Sequence, residues 1–345
     1  MEREYKILNE IKEQLLVAKH MFRREHEKEL TDVVSIINNT LNDNGEIYLV
    51  GSGSSYHSAV FASHLFAKNN YFIATPILAG DFESYVPNMG HKDLVILISQ
   101  AGNNPTLLDS FHFLSQRIVK TILITNDLDS PLENRSDLIL PLEISREEAV
   151  PATKSYFAEL FIFSLISEAL KDGSDLFSVK DDLLGEIERI TSPQYFDKLD
   201  GIAKYISKST DLFVLGEGIG YANAMEAALK LKECALLDAE AYIGSEFLHG
   251  PIAMLKKQTP VIILTGDNNE MSKEVAEKVK NAGGAVIIVG PENFSFSEAF
   301  IPVKDLKLFT DLISIVPLQL LAYKTALIKG LDPDRPPGLE KIVEI

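Results

Sequence analysis

The spacing of apolar residues changes character near residue 45. Before that point, apolar residues recur every three or four positions with Glu and Lys between them, which predicts two amphipathic helices within residues 3–40. After it, short continuous apolar runs alternate with stretches of helical spacing; the first runs are residues 47–50, 94–98, 122–125 and 138–140. Continuous apolar strands that alternate with helices are typical of a parallel sheet covered on both faces. The pattern therefore predicts an α/β fold that follows an N-terminal helical arm.

The series of strands then occurs a second time, in the runs at residues 212–216, 261–264 and 286–289. Three pairs of positions share one separation of 165 residues: Gly51 and Gly216, Asn103-Asn104 and Asn268-Asn269, and Thr125 and Gly290. A constant separation indicates an internal repeat. We therefore expect two tandem domains at residues 45–190 and 191–330, a helical arm at 1–44 and a tail at 331–345. A helical stretch at residues 155–209 would join the copies, and a last helix at 312–328 would be kinked at Pro317.

Composition narrows the class of partner. The formal net charge is -17 and the isoelectric point is about 4.9, which argues against nucleic acid or an anionic membrane as a partner. The single cysteine, Cys234, excludes a disulfide framework within the chain and is best explained as a packed thiol. No apolar run is expected to cross a membrane, and the charged start does not resemble a signal peptide. A soluble cytoplasmic protein is expected.

Two turns of the first copy suit an anion. Residues 51–55 and 99–104 each follow a predicted strand and are rich in hydroxyl and amide groups without an acid. Backbone N–H groups at such strand-to-helix turns attract phosphates. The second copy differs at four aligned positions: Glu217 replaces Ser52, Ile219 replaces Ser54, Leu264 replaces Ser99 and Asp267 replaces Gly102. We therefore expect a phosphate cradle in the first copy only, although Ser and Gly could also be simple turn formers.

Known nucleotide and metal motifs do not account for these turns. No Gly-Lys-Ser/Thr is present at the spacing of a P-loop, and Tyr56 stands where a dinucleotide fingerprint needs its third glycine. The pairs His20 and His26, and His57 and His64, have no supporting carboxylate pattern. Neither a metal nor a cofactor is expected.

The predicted helix that contains residues 228–233 carries the candidate chemistry. Lys230 and Glu233 are three residues apart, so they lie on one face of the helix. A surface ion pair is the usual explanation of this spacing. Here the helix follows an apolar strand and a glycine turn, and His249-Gly250-Pro251 comes after it. This context favours a catalytic pair, because a carboxylate can move a proton between carbons and a histidine can do so near neutral pH.

Several ordered motifs identify the chain as similar to the SIS (sugar isomerase) family. It resembles most the isomerase half of glucosamine-6-phosphate synthase and the stand-alone deaminases and fructosamine-phosphate deglycases. The motifs are Glu10-Ile11-Lys12-Glu13-Gln14, Gly53-Ser54-Ser55-Tyr56, Ser99-Gln100-x-Gly102, Ala152-Thr153-Lys154, Ala228 to Glu233, Glu240-Ala241-Tyr242, Glu246-x-x-His249-Gly250-Pro251 and Leu339-Glu340-Lys341-x-Val343. They extend over almost the whole chain.

The resemblance implies a role for each matching residue. Glu233 would shuttle a proton between C1 and C2, His249 from the neighbouring subunit of a dimer would open the sugar ring, Lys341 would form an imine, and Lys230 would support the site. Ser55, Ser99 and Gln100 would hold the phosphate. The full substrate-binding set that it implies is Gly53, Ser54, Ser55, Ser99, Gln100, Ala101, Gly102, Asn104, Val150 and Ala152.

The chain departs from the synthases at several of these positions. Ala101 and Ala152 stand where the synthases have serines that touch the sugar, and Asn104 stands where they have a threonine. Glu2 follows Met1 where a glutaminase half would have its nucleophilic cysteine. The leading hypothesis is therefore deamination of glucosamine 6-phosphate with isomerisation to fructose 6-phosphate and ammonia, by a homodimer with shared active sites. Deglycation of a fructosamine phosphate, simple phosphosugar isomerisation, and a non-catalytic regulatory sugar-phosphate-binding protein are the alternatives.

Overall fold

The computed structural model describes residues 5–24, 28–114, 117–171, 175–266 and 269–341. The chain forms two compact units, and each contains one five-stranded sheet. The first unit consists of Leu16–Arg146, Ser155–Ser178 and the residues from Glu340 onwards. The second unit consists of the chain up to Leu15, Glu147–Lys154 and Val179–Leu339.

The sheet of the first unit is parallel throughout and has the strand order β2-β1-β3-β4-β5. Its strands are β1 Ile47–Gly51, β2 Ala74–Leu78, β3 Leu94–Ile98, β4 Lys120–Thr125 and β5 Leu138–Pro141. The first helices of the chain are α1 Lys6–Met21, α2 Lys28–Asn42, α3 Ser54–Asn69, α4 Pro105–Leu114, α5 Lys154–Leu170 and α6 Asp175–Ser178. Every residue of β1 and β3 is buried, as expected for continuous apolar strands at the centre of a sheet.

The sheet of the second unit is also parallel and has the order β10-β9-β8-β6-β7. Its strands are β6 Asp211–Gly216, β7 Asp238–Ile243, β8 Pro260–Leu264, β9 Ala285–Gly290 and β10 Ala299–Pro302. The helices are α7 Lys180–Ile190, α8 Pro193–Lys198, α9 Asp200–Ile206, α10 Ile219–Ala235, α11 Gly244–Phe247, α12 Asn269–Asn281 and α13 Thr310–Ile328. Read from β7, the strand order repeats that of the first sheet, so the predicted tandem α/β architecture is confirmed.

The backbone of the two copies agrees in detail at their first turns. A Cβ atom on Gly51 would lie 2.6 Å from the backbone of Ser55, and one on Gly216 would lie 2.4 Å from the backbone of Gly220. The next glycine is in the left-handed region in both copies, with φ of 54° at Gly53 and 53° at Gly218. Only glycine fits such close approaches, so the two turns share one geometry.

The sequence missed three strands, β2, β7 and β10. All three are outermost strands of their sheets, and none of them carries the long continuous apolar run of a central strand. In β7, for example, Asp238 and Glu240 are exposed while Ala239 is buried. Two of them, β2 and β7, occupy the same position in the repeated topology, and β10 is the outermost strand at the other side of its sheet.

Helix α13 is buried along nearly its whole length and packs against α7, α9 and α10. Pro317 lies inside it, as predicted, and the kink there stays a prediction. Contrary to the expectation from the sequence, one segment among the described residues, Lys307–Ile328, is long and apolar enough to cross a membrane. Because 89% of its apolar window is buried inside the protein, it has the character of a core helix.

Candidate active site

The two predicted anion-binding turns lie next to each other in the first unit. Strands β1 and β3 pair directly and in parallel, with Ile47 opposite Leu94, so the turns that follow them share one edge of the sheet. The turn after β1 passes through Gly53, where a Cβ atom would meet nothing within 4 Å. Ser54 and Ser55 begin α3 and are partly exposed there. The two turns that the sequence analysis singled out therefore lie side by side in the structure.

The turn after β3 is held by its own polar groups. The hydroxyl of Ser99 accepts a hydrogen bond of 3.1 Å from the N–H of Gly102. Gly102 has a φ of 58°, and a Cβ atom there would lie 2.2 Å from the hydroxyl oxygen of Ser130. Glycine is thus required at this position both by the backbone and by the close packing of Ser130. Gln100 and Ala101 are partly exposed on the same turn.

Asn104 begins the helix that follows this turn. Its side-chain oxygen accepts a hydrogen bond of 3.3 Å from the N–H of Leu107, as a helix cap does. The oxygen is therefore engaged, and the NH₂ group is the part of the amide that can donate to a ligand. The expectation that Asn104 can act as a donor is compatible with this arrangement.

Glu159 is a residue of this region that the sequence analysis missed. It lies on α5, is 1% exposed, and accepts a hydrogen bond of 2.9 Å from the hydroxyl of Ser55. An acid in an otherwise apolar stretch of helix was the signal that could have revealed it. A buried carboxylate thus lies directly behind one of the predicted phosphate ligands.

The pair Lys230 and Glu233 lies on α10 of the second unit and is not a surface ion pair. Lys230 is 1% exposed, and its Nζ lies 2.5 Å from Oε2 of Glu233 and 3.3 Å from Oε1 of Glu226. Burial by itself would lower the pKa of Lys230, but the two carboxylates outweigh it and hold that pKa above its ordinary value. The lysine is therefore charged, and Glu233, at 18% side-chain exposure, is the member of the cluster that solvent or a ligand can reach.

Cys234 follows Glu233 and faces the interior. It is 2% exposed, and burial raises the pKa of its thiol to about 12. A thiol with such a pKa stays protonated near neutral pH and is a poor nucleophile. This agrees with the interpretation of Cys234 as a packed thiol.

The loop that contains Val150 and Ala152 belongs to the second unit. The N–H of Val150 donates to the carbonyl of Asp334 at 3.0 Å, and the carboxylate of Glu10 accepts the N–H of Glu148 at 2.5 Å. Asp334 is also close enough to Cys234 to influence the pKa of its thiol. These two predicted substrate residues therefore lie near the end of α10 that carries Glu233.

His249 lies in the second unit, beyond the short helix α11 that follows β7. Helix α10 starts beyond the carboxyl end of β6 and runs back, so Glu233 is displaced by about 20 Å along its axis toward the amino edge. His249 comes six residues after Ile243, the last residue of β7, whose carboxyl end lies beside that of β6. The histidine is exposed, and β7 and α11 separate it from α10 in the chain. Phe247 and Ile252, which flank His249, pack with α12 in a core cluster whose described members include no residue of α10, whereas α10 packs against α13.

The last of the predicted catalytic residues is Lys341. Lys341 is exposed, is the last described residue, and belongs to the first unit. The positions Glu2, His26, Asp267, Asn268 and Val343 that the sequence analysis used lie outside the described residues.

In the second copy, one residue equivalence predicted from the repeat is wrong, that of Leu264 with Ser99. The N–H of Ser99 donates to the carbonyl of Ile124, and the N–H of Thr265 donates to the carbonyl of Val289. Ile124 and Val289 keep the separation of 165 residues, so the counterpart of Ser99 is Thr265 and not Leu264. The second copy carries one additional residue before this point, and therefore it keeps a hydroxyl there, although the threonine is fully buried.

Two carboxylates of the chain itself occupy the turns of the second sheet. Glu217 accepts a hydrogen bond of 2.7 Å from the N–H of Ser245, and burial raises its pKa. Asp311, at the start of α13, is 1% exposed. Its Oδ1 would lie 2.6 Å from a Cβ atom on Gly266 and 3.3 Å from one on Gly220. Negative groups therefore already fill the place where an anion would bind.

The comparison with protein families gives one match in each copy. The model of the SIS domain matches residues 40–169 and 205–328, which is most of the chain. The chain therefore belongs to the SIS domain family, as the motifs indicated.

Curated relatives at the same level of similarity share one name. The glutamine–fructose-6-phosphate aminotransferase (isomerizing) of Shouchella clausii is 30% identical over 351 residues, which cover 98% of this chain and 58% of the relative. The same protein of Pyrobaculum aerophilum is 30% identical over 322 residues, covering 90% of this chain and 53% of the relative. The chain thus spans a little over half the length of these relatives.

Solved structures resemble the chain along its full length. A glucosamine-6-phosphate deaminase from Thermotoga maritima is 29% identical with a TM-score of 0.79, covering 98% of this chain and 99% of that one. The C-terminal domain of a glucosamine-fructose-6-phosphate aminotransferase from Francisella tularensis has a TM-score of 0.82 at 24% identity, with 97% and 99% coverage. The second likeness supports the fold alone.

Proposed function

We propose that this protein is a phosphosugar-processing enzyme of the isomerase type that deaminates glucosamine 6-phosphate. The overall reaction takes glucosamine 6-phosphate and water to fructose 6-phosphate and ammonia. The observation that carries the proposal is the buried, charged Lys230 in contact with the partly exposed carboxylate of Glu233. The likeness to a deaminase at 29% identity, over nearly all of both chains, supports the choice of reaction.

Glu233 is proposed to move the proton between C1 and C2. A 1,2-shift needs one base that takes a proton from one carbon and returns it to the next, which suits a carboxylate that is held in place. Lys230 is proposed to hold it, because its ammonium contacts Oε2 of Glu233 at 2.5 Å and is itself anchored by Glu226. The other oxygen of Glu233 then remains for the substrate.

Lys341 is proposed to form an imine with the open-chain sugar, as its position in the family motif implies. The phosphate of the substrate is proposed to bind at the turns of the first unit, where Ser55, Ser99, Gln100 and Asn104 surround glycine backbone. Gly53 and Gly102 are both in the left-handed region there, a backbone conformation that occurs in anion-binding turns.

His249 is proposed to open the sugar ring in the active site of a second copy of the chain. The support is that the residues flanking His249 pack with α12, whereas α10, which carries Glu233, packs against α13. A homodimer with shared sites would bring the histidine of one copy to the carboxylate of the other.

The proposed reaction is tested by mixing the protein with glucosamine 6-phosphate and measuring ammonia and fructose 6-phosphate. Glu233→Gln should lower kcat by about 10²- to 10⁴-fold and leave substrate affinity within a few-fold. The matched control is Glu277→Gln on α12, which makes the same chemical change at an exposed position of the same unit and should retain full activity.

The outcomes separate the alternative functions. Binding without ammonia release would contradict the deaminase, and formation of a ketose or aldose without ammonia would indicate simple isomerisation. Release of an amino acid from a fructosamine phosphate would indicate a deglycase. If Glu233→Gln changed nothing in any of these assays, a regulatory sugar-phosphate-binding protein would be the better description.

The shared site is tested by complementation. Glu233→Gln and His249→Asn chains, each of low activity, are unfolded together, refolded as a mixture and assayed. In a dimer with shared sites, half of the molecules are mixed and each carries one intact site, so about a quarter of the activity should return. No recovery in a sample that light scattering shows to be dimeric would contradict this assignment of His249.

A further inference from the structure

The hydroxyl of Ser55 has one proton, and in the structure this proton points toward Glu159 and away from the predicted phosphate-binding turns. Its Oγ donates to Oε1 of Glu159 at 2.9 Å, and Glu159 is 1% exposed. Ser55 itself is partly exposed at the start of α3, in the turn that follows β1. The side of the hydroxyl that faces a ligand therefore presents lone pairs and not the proton.

This direction follows from the chemistry of the partner. An ionised carboxylate only accepts hydrogen bonds, so Ser55 must be the donor whenever Glu159 is charged. A hydroxyl whose proton is engaged can accept a hydrogen bond from a ligand but cannot donate one to it. An anion oxygen without a proton would meet both the lone pairs of Ser55 and the negative charge behind them.

We infer that Glu159 is a specificity-determining residue, which makes Ser55 a hydrogen-bond acceptor and selects a phosphate group that carries a proton over an anion that has none. The inference rests on the phosphate cradle proposed above and adds to it the protonation state of the ligand. A phosphate monoester loses its second proton with a pKa near 6, so both states exist close to neutral pH.

The probes are inorganic phosphate and sulfate, which have nearly the same size. Phosphate carries at least one proton near neutral pH, whereas sulfate carries none. Isothermal titration calorimetry at one pH gives the affinity for each anion, and the ratio of the two affinities is the readout. Circular dichroism and thermal unfolding establish that each variant is folded.

Glu159→Gln is the main variant. The amide has an NH₂ group that can donate to Ser55, which frees the proton of the hydroxyl for the ligand. Sulfate affinity should rise about tenfold and phosphate affinity by less, so the preference for phosphate should fall by about fivefold. The matched control is Glu168→Gln on the same helix, where a carboxylate that is 2% exposed accepts the N–H of Leu176 and the ratio should not change.

Ser55→Ala supplies a second, independent measurement. Removal of the hydroxyl should weaken phosphate several-fold and should not weaken sulfate, and Glu159→Gln added to it should have no further effect on the ratio. An unchanged ratio in folded Glu159→Gln, or equal weakening of both anions in Ser55→Ala, would overturn the inference. If neither anion bound to the wild-type protein, the phosphate cradle itself would be refuted, and the inference with it.

Discussion

The carboxyl edges of the two sheets share a backbone and differ in what occupies them. At the first edge, hydroxyl and amide side chains surround two glycines with positive φ, Gly53 and Gly102. At the second edge, the turn through Gly218 has the same φ as Gly53, yet Glu217 and Asp311 reach into it. The contrast shows that a duplicated fold can keep the backbone geometry of a turn while the side chains around that turn change from neutral to acidic.

At the second edge, acidic side chains of the chain itself stand where the first edge has hydroxyl and amide groups. The carboxylate of Glu217 accepts a backbone N–H, which is what a bound phosphate oxygen would do, and Asp311 lies within contact distance of two further backbone positions. At the second edge an acidic side chain thus takes up the N–H of Ser245 and another lies beside Gly220 and Gly266, an arrangement that disfavours the binding of an added anion. We therefore expect one anion site per chain and not two.

The strongest way to test the shared backbone is to add a methyl group to each first turn. Gly51→Ala and Gly216→Ala would each place a Cβ atom within 2.6 Å of backbone atoms, which no side-chain movement can relieve. Each change should destabilise its unit by about 3 kcal/mol, measured by chemical denaturation. Gly185→Ala is the control, because it lies in α7 with nothing within 4 Å and should be neutral or slightly stabilising. A large cost in one copy only would contradict the equivalence of the turns.

A smaller effect is expected where the two edges differ. Gly102→Ala forces a non-glycine residue to a φ of 58° and brings its Cβ atom to 2.2 Å from the hydroxyl of Ser130. We expect a loss of about 2 kcal/mol in stability and of measurable phosphate binding. Ser130→Gly in the same chain removes the steric contact and should restore part of the stability. Calorimetry should give a stoichiometry of one anion per wild-type chain, and a stoichiometry of two would break the comparison.

The smallest expected effect concerns the pH dependence of the second edge. Burial raises the pKa of Glu217 above its ordinary value of 4.5, so the folded protein favours the protonated form. Ionisation therefore costs stability as the pH rises through this raised pKa, and the cost disappears as the pH falls toward 4.5. Because the side chain is partly exposed, screening should limit the effect to less than about 1 kcal/mol.

Glu217→Gln removes this titration while keeping an oxygen for the N–H of Ser245. The variant should gain stability relative to the wild type near neutral pH, and its advantage should shrink on acidification. Thermal unfolding of both proteins between pH 4.5 and 7 measures the difference. An advantage that grew on acidification would show that the carboxylate is stabilised, and not strained, in the folded protein.

The central strands and the repeat could be predicted because burial on both faces leaves a continuous apolar signature. The edge strand β7 could not, because one side of it is exposed and its sequence alternates. The alignment of Ser99 with Leu264 failed for a different reason. The second copy has one additional residue before β8 and one fewer between β8 and β9, so the separation of 165 residues is unchanged on either side, and the strand register and the hydrogen bond of Thr265 reveal the shift.

The residues of the candidate site could also be predicted only in part from the sequence. The sequence could identify Lys230 and Glu233 by their spacing, because a helix places such residues on one face. It could not identify Glu159 as the partner of Ser55, since 104 residues separate them and only the packing of α5 brings them together. Similarly, the sequence could not show that Lys230 is buried, because burial is a property of the fold.

The first helix and the segment near residue 334 have a consequence for folding. The carboxylate of Asp334 accepts the N–H groups of Lys6 and Ile7, each at 2.9 Å, so it caps α1 from a point 328 residues further along the chain. During synthesis on the ribosome, α1 lacks the cap from Asp334 until almost all of the described chain has emerged. Closing so long a loop is slow, and the contact between Asp334 and α1 is therefore expected to form last, as the final step of folding.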